Sequence, residues 1–252
     1  MNRINFLGSP MDSGSMSDTV SAISERILSQ QFTQHVVVNV AKLVNMRKDP
    51  ELAKSVTECD IINIDGMGVV WGARFLGHNV GERVSGVDLF AELNAMAERE
   101  GFPVFYLGAK EEVVTKTGEV MQAQHPQLTI AGTHHGYFWD DEQAVVEQIK
   151  ASGARLLFVA ITSPKKENFI NRWKDELGVD FVMGVGGTFD VVAGKVSRAP
   201  VWMQKYGLEW LYRVIQEPRR MWKRYLVTNS QFAWLLVQAK LGFLKDTKHN
   251  NV

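Results

Sequence analysis

The 252 residues suffice for one large domain, or for a domain of roughly 200 residues with an appendage; 45% are apolar and 22% charged, which excludes wholesale disorder and an integral membrane protein. Lysine plus arginine equal aspartate plus glutamate, 28 each, so global charge offers no attraction for nucleic acid and a charge-driven partner must meet a local patch. The single cysteine, Cys59, cannot close an intramolecular disulfide, and the N-terminus lacks the basic-then-apolar signature of a signal peptide; a cytoplasmic, reducing location is expected.

Short runs rich in Val, Ile and Phe alternate with longer segments of helical spacing. This is the pattern of βαβ units and predicts an α/β, Rossmann-like fold with a mainly parallel sheet and flanking helices. In chain order the expectation is a helix over Ser17 to Gln30, a strand over His35 to Val40, a helix over Glu51 to Cys59 and a strand over Ile61 to Ile64. Helices over Gly66 to Leu76 and Val87 to Glu100 follow, then a strand over Val104 to Gly108, a helix over Glu111 to His125 and a strand over Leu128 to Thr133. A helix over Glu142 to Ser152, a strand over Leu156 to Ala160, a helix over Lys165 to Leu177 and a strand over Phe181 to Gly184 complete the series. Asp140 and Asp141 suit the cap of the helix at Glu142, and Pro164 the first turn of the next.

Beyond Trp202 the pattern changes. From Lys205 to Lys248 stand nine basic residues (Lys205, Arg213, Arg219, Arg220, Lys223, Arg224, Lys240, Lys245, Lys248) against three acidic ones (Glu209, Glu217, Asp246). Trp210, Tyr212, Trp222, Tyr225, Phe232 and Trp234 are interleaved with them, the composition of an interfacial helix drawn to an anionic membrane surface. The longest apolar run there, Phe232 to Val237, falls far short of the roughly 18 residues a spanning helix needs. The expected organisation is an α/β domain over residues 1–201 and a basic, aromatic-rich appendage over 202–252 that lies on the inner face of the membrane without crossing it.

In open α/β sheets ligands bind beyond the carboxyl ends of the strands. That rule selects Asn39, Asp65, the segment 162–167 with Lys166 and Glu167, and the segment 185–190 with Gly186, Gly187, Thr188 and Asp190. Asp65 is followed by Gly66 and Gly68, which allow close backbone approach by a ligand. Two readings stand for it: a general base, or a cap of the helix that begins near Gly66. Gly66, Gly68 and Gly72 with Asp88 make only a loose dinucleotide pattern, because the spacing is G-x-G-x-x-x-G and Asp88 falls in a helix; a nicotinamide cofactor is disfavoured, and no other cofactor is indicated. The glycines of 184–187 suit either a phosphate or uracil edge or a tight turn between packed backbones. No Cys/His cluster has metal-ligand spacing, so no metal is expected, and no G-x-S-x-G argues for a covalent hydrolase. Arg83, Arg213, Arg219, Arg220 and Arg224 are candidates for a diphosphate, since guanidinium forks match phosphate oxygens.

These segments line up in order with a known family. Gly184-Val-Gly-Gly-Thr-Phe-Asp-Val-Val-Ala-Gly-Lys-Val-Ser-Arg-Ala-Pro200 carries the most, continued by Gly207-Leu-Glu-Trp-Leu-Tyr-Arg213 and Gln216-Glu-Pro-Arg-Arg220. Asp65-Gly-Met-Gly-Val-Val70, Arg83-Val-Ser-Gly-Val-Asp88, Gly132-Thr-His-His-Gly-Tyr-Phe138 and Ser163-Pro-Lys-Lys-Glu167 support it. From about Asn39 to Tyr225 the chain resembles the WecG/TagA/CpsF glycosyltransferases. The resemblance implies inverting, metal-independent transfer of a sugar, often N-acetylmannosamine or its uronic acid, from a UDP-sugar to a polyprenyl-diphosphate-linked saccharide. It implies Asp65 as base, Asn39 and Arg83 in the pocket, the loop Gly186-Gly187-Thr188 beside the nucleotide, and appendage arginines completing the site. Two departures, Val37-Val-Asn39 for Thr-x-Asn and Pro164-Lys-Lys-Glu167 for Pro-Lys-Gln-Glu, bear on the choice of donor sugar. An oxidoreductase and a catalytically inactive, membrane-bound family member remain as alternatives, and a homo-oligomer is compatible with the sequence.

Overall fold

The computed structural model describes residues 1–244, without the side chain of Arg220; Lys245, Asp246 and Lys248 of the basic tail lie outside the described residues. The strands are β1 (Asn2–Phe6), β2 (Ser9–Ser13), β3 (Thr33–Val38), β4 (Ile61–Ile64), β5 (Val104–Gly108), β6 (Ile130–His134), β7 (Leu156–Ala160) and β8 (Phe181–Gly184). The helices are α1 (Met16–Leu28), α2 (Val40–Met46), α3 (Pro50–Thr57), α4 (Met67–Phe75), α5 (Gly86–Glu100), α6 (Glu111–Gln124), α7 (Glu142–Ala151), α8 (Lys165–Trp173), α9 (Thr188–Val192), α10 (Val201–Lys205), α11 (Glu209–Gln216) and α12 (Pro218–Lys240). All eight strands join one sheet in the order β1-β2-β4-β3-β8-β7-β5-β6. Every neighbouring pair is parallel except the β1–β2 hairpin.

β5, β7 and β8 are apolar runs because both of their faces are covered, whereas β3 and β4 carry the buried polar residues Thr33, Gln34, His35 and Asn63 within them. On one face Ile61, Val104, Tyr106, Leu156, Phe158, Phe181 and Met183 pack with Ile23, Leu89, Phe90, Val114 and Phe189 of α1, α5, α6 and α9. On the other, Phe105, Leu107, Leu157, Val159 and Val182 meet Val145, Ile149, Phe169 and Ile170 of α7 and α8. Val36, Val38, Ile62 and Ile64 of that same face meet α2, α3, α4 and Phe232 of α12. The two-residue alternation thus sorts each strand between two helix layers. At the end of the β5–β7 pair, Gly108 has φ +124, and a Cβ there would lie 2.4 Å from the carbonyl oxygen of Ala160.

β4, β5, β7 and β8 have the bounds the sequence predicts; α8 ends at Trp173 rather than Leu177. Asp141 caps α7 as expected, accepting from the Ala144 amide at 3.1 Å. Two elements differ in kind. β3 stops at Val38 because Asn39 caps a helix the sequence reading lacks: its Oδ1 accepts from the Lys42 amide at 3.0 Å, so Val40 opens α2 instead of closing the strand. The β1–β2 hairpin was also not expected. Its turn places Leu7 at φ 52 and Gly8 at φ 81, the two left-handed positions of a tight hairpin, and leucine in such a position gives no turn signal.

α12 lies on α2 and α4. Phe232 seats where Gly72 leaves room: a Cβ at Gly72 would stand 2.7 Å from Phe232 Cζ. Met221, Thr228 and Phe232 form its buried stripe, while Trp222, Leu226, Val227, Trp234 and Val237 point outward. Among the described residues no helix is long and apolar enough to cross a membrane.

Candidate active site

The carboxyl ends of β4, β3, β8 and β7 are neighbours in the middle of the sheet. From β3 the chain steps outward to β4, whereas β8 is reached from β7 on the opposite flank, so the connections diverge between β3 and β8. A crevice opens at such a point. Asn39 follows β3, Asp65 follows β4, the loop 185–188 follows β8, and Lys166 and Glu167 begin α8 after β7.

Asp65 is fixed by its backbone: its amide donates to the Val38 carbonyl at 2.9 Å, which continues the β3–β4 ladder past the strands. Gly66, at φ +115, then turns the chain into α4, and its N-cap position carries no side-chain cap. The capping reading of Asp65 is therefore set aside: no hydrogen bond among the described residues uses its carboxylate. The Val84 amide donates to the Ile64 carbonyl at 2.9 Å and so brings Arg83 alongside. Asp65 keeps part of its surface open to solvent but is enclosed by enough protein that burial raises its pKa above the ordinary carboxylate value. Arg83 opposes that rise most strongly, Glu209 adds to it, and Arg213 and Lys42 oppose it more weakly. Gly68 sits in the first turn of α4, where a Cβ would stand 3.0 Å from Val40 Cγ2; Gly68 thus lets α4 and α2 close around Asp65 and Asn39.

A second group adjoins the first. Glu167 Oε1 accepts from Lys166 Nζ at 2.5 Å and faces Lys42 Nζ at 2.8 Å, and all three side chains are buried. Lys42 Nζ also donates to the Val37 carbonyl at 2.8 Å. Burial alone pushes the Glu167 carboxyl up, but Lys42 and then Lys166 outweigh it and hold the pKa down to about 2. Burial and the neighbouring Lys42 bring Lys166 down to about 8 against the pull of Glu167, with Arg224 of α12 contributing in the same direction as Lys42. The stem of Lys166 lies on Gly184, where a Cβ would meet its Cε at 2.7 Å.

At the glycine loop, Gly186 and Gly187 face open space, with no atom within 4 Å of where a Cβ would be. The Thr188 hydroxyl donates inward to the Val185 carbonyl at 2.8 Å and is buried, so it serves the turn. α9 has only five residues, too few for a helix dipole of weight. The Asp190 carbonyl accepts from the Lys195 and Val196 amides at 2.9 and 3.0 Å and closes the segment. The remaining arginines Arg213 on α11, and Arg219 and Arg224 on α12, are exposed; Arg213 acts on Asp65 and Arg224 on Lys166 through charge alone.

Sequence reasoning missed Lys42, Glu209, Arg198 and the anchoring role of Asp88. Arg83 Nη1 donates to Glu209 Oε2. Arg198 grips Asp88 with both terminal nitrogens, at 2.5 and 2.7 Å. Lys42 was hidden with α2, although Asn39 three residues before it is the N-cap signal that could have exposed both. Glu209 had no local signal, being 126 residues from its partner.

Fold and site define a class: an α/β chain that gathers Asn39, Asp65, Lys166, Glu167 and an open glycine loop at the carboxyl edge of its sheet, with lysines and arginines set against its carboxylates. A family model described as the glycosyl transferase WecG/TagA/CpsF family matches residues 4–246, and the chain belongs to that family. Its members are glycosyltransferases of cell-surface polysaccharide synthesis, acting between a sugar donor and a lipid-linked acceptor. Membership displaces the oxidoreductase alternative. Asp88, the ribose acid that reading needs, stands in the first turn of α5 with both oxygens held by Arg198.

Proposed function

We propose that this chain is an inverting hexosyltransferase that moves N-acetylmannosamine, its uronic acid or another hexose from a UDP-sugar to a polyprenyl-diphosphate-linked saccharide. The observation that carries the reading is the Asp65 carboxylate at the end of β4, desolvated, without a hydrogen-bond partner among the described residues, and subject to the charges of Arg83, Arg213 and Lys42 against that of Glu209. Asp65 takes the proton from the acceptor hydroxyl as that oxygen attacks the anomeric carbon. The bond to the diphosphate breaks on the opposite face, and UDP leaves with the electron pair toward the open glycines Gly186 and Gly187. Arg83, Arg213 and Arg224 offset the charge that develops there, with Arg219 and Arg220 on the adjoining turn. Asn39 borders the base from its cap position, and Lys166 and Glu167 shape the donor pocket. The test is UDP release across a panel of UDP-sugars with a short-chain lipid-diphosphate acceptor: one or more donors should support acceptor-dependent release, and a folded protein that releases UDP with none would sink the reading.

Residues 202–252 form, in this proposal, a membrane-docking appendage on an α/β domain of residues 1–201. Its support is the outward face of α12, where Trp222, Leu226, Val227, Trp234 and Val237 stand among Lys223 and Arg224. Apolar groups flanked by cations suit the headgroup boundary of an anionic leaflet. Because Phe232 holds α12 to the body of the protein, exposed residues are the better probe than truncation. The double change Trp222→Ser and Trp234→Ser should weaken binding to phosphatidylglycerol vesicles by about tenfold or more, given the apolar area each indole buries, and leave the melting temperature in place. Unchanged vesicle binding would remove the appendage from the membrane contact.

A further inference from the structure

We infer that Glu209 is a positioning residue of the transfer reaction: from α11 it holds the Arg83 guanidinium beside Asp65 without letting it close onto Asp65. The inference rests on the reading of Asp65 as the base.

The carboxylate of Glu209 stands between two guanidiniums. Its Oε2 accepts from Arg83 Nη1, and its Oε1 lies 3.6 Å from Arg198 Nε. That Arg198 nitrogen is buried and has no hydrogen-bond partner, so Glu209 is the acceptor it faces at slightly more than bonding distance. Arg198 is itself fixed by its two bonds to Asp88 Oδ1 and Oδ2. Charges therefore alternate along Arg83, Glu209, Arg198 and Asp88, and the row begins on the loop before α5, passes through α11 and returns to α5. Arg83 is only 11% exposed, which leaves its guanidinium few carboxylates to choose among: Glu209, which it bonds, Asp88, whose two oxygens Arg198 already holds, and Asp65, whose ionisation it influences more than any other charge does.

That choice matters for the chemistry. A base that accepts two hydrogen bonds from an arginine is a poor base, because the ion pair occupies its lone pairs and lowers its pKa. An arginine left unrestrained in a half-closed pocket takes the nearest carboxylate. Glu209 prevents this by holding Arg83 from the appendage side, at a place where the guanidinium can still meet the donor's diphosphate. Lys42 and Arg213, the other cations acting on Asp65, have no such restraint from Glu209, and both act more weakly than Arg83.

The test compares wild type, Glu209→Asp and Glu209→Gln by kcat/KM for UDP release against pH, with a melting curve for each. Glutamine keeps an oxygen for Arg83 but loses the charge that competes with Asp65. The acid limb should move down by about one pH unit, the size of an arginine–carboxylate effect, and the plateau should fall by about tenfold. Aspartate, charged but one methylene shorter, should move the limb less. Where the glutamine variant melts below the assay temperature, the aspartate variant decides: a limb displaced downward supports the inference. Acid limbs coincident with wild type, with only stability or the plateau reduced, would overturn it and leave Glu209 as a tether of α11. Asp65→Asn in the same assay separates this outcome from failure of the base reading, since an active asparagine variant removes the base whatever Glu209 does.

Discussion

Replacing Asp65 with asparagine is expected to lower kcat by about 10² to 10⁴, the range general-base catalysis supplies, while KM for the donor changes little. The substitution is nearly isosteric and breaks no side-chain hydrogen bond of the described structure, so loss of rate should not arise from misfolding. The pKa of Asp65 gives this expectation a second arm. Burial holds it above the value of an unfolded chain, so the unfolded state releases the proton first. As pH rises through the unfolded and then the folded pKa, the folded protein must ionise a desolvated carboxyl, and stability falls across that window. At neutral pH the charge is thus a net cost, and the asparagine variant should melt at the same temperature as wild type or somewhat higher. Activity lost together with stability retained or gained is the pattern of a strained functional group. Thermal melts at pH 7 alongside steady-state kinetics read both arms.

The second large effect is on stability. Glu167→Gln leaves Lys42 and Lys166, both buried, without the one carboxylate they share. Breaking a buried pair by removing one partner costs about 3–5 kcal/mol, enough to lower the melting temperature of a chain of this size by about 10 °C. The pH dependence follows from the sign of the shift. The folded carboxyl titrates at about 2, below its ordinary value of 4.5, so its stabilisation is fully present above about 4.5 and is lost as pH falls toward 2. Wild type should lose stability through that window, and the glutamine variant should show a flatter acid profile. Lys166 points the other way. Its pKa near 8 lies below the ordinary 10.5, so its charge is a cost at neutral pH and Lys166→Gln should be neutral or stabilising. Urea denaturation at pH 7 distinguishes the two changes, and a Glu167→Gln variant as stable as wild type would mean the lysines are not held by this carboxylate.

What could be read from the sequence divides by physical origin. β5, β7 and β8 were legible because burial on both faces makes them unbroken apolar runs, and their bounds follow from where those runs stop; β4 was legible from its three isoleucines even though the buried Asn63 stands among them. β2 was not, because its buried Asp12 breaks the run; the partners that make that burial tolerable, Arg3 at 2.7 Å and the Ile62 amide at 2.8 Å, are visible only in three dimensions. α2 was masked by the valines before it, where a local β preference met a helix cap and the cap prevailed. The site divides the same way. Asp65, Gly66 and Gly68 announce themselves by strand-end position, and Lys166 and Glu167 by their neighbourhood in the family pattern. Arg83 was found as a cation, but its hold on Glu209 was not. That contact, like the union of Lys42 with Glu167, joins segments more than a hundred residues apart, and no periodicity or spacing encodes it.

The central claim is that Asp65 removes the acceptor proton. It is tested most directly by single-turnover sugar transfer, followed across pH with a donor that supports turnover, for wild type and Asp65→Asn. The rate of wild type should fall on an acid limb that lies above the ordinary carboxylate range, and the asparagine variant should be slower by about 10² or more at every pH and show no such limb. An asparagine variant that transfers within a few fold of wild type, or that keeps the same acid limb, would contradict it.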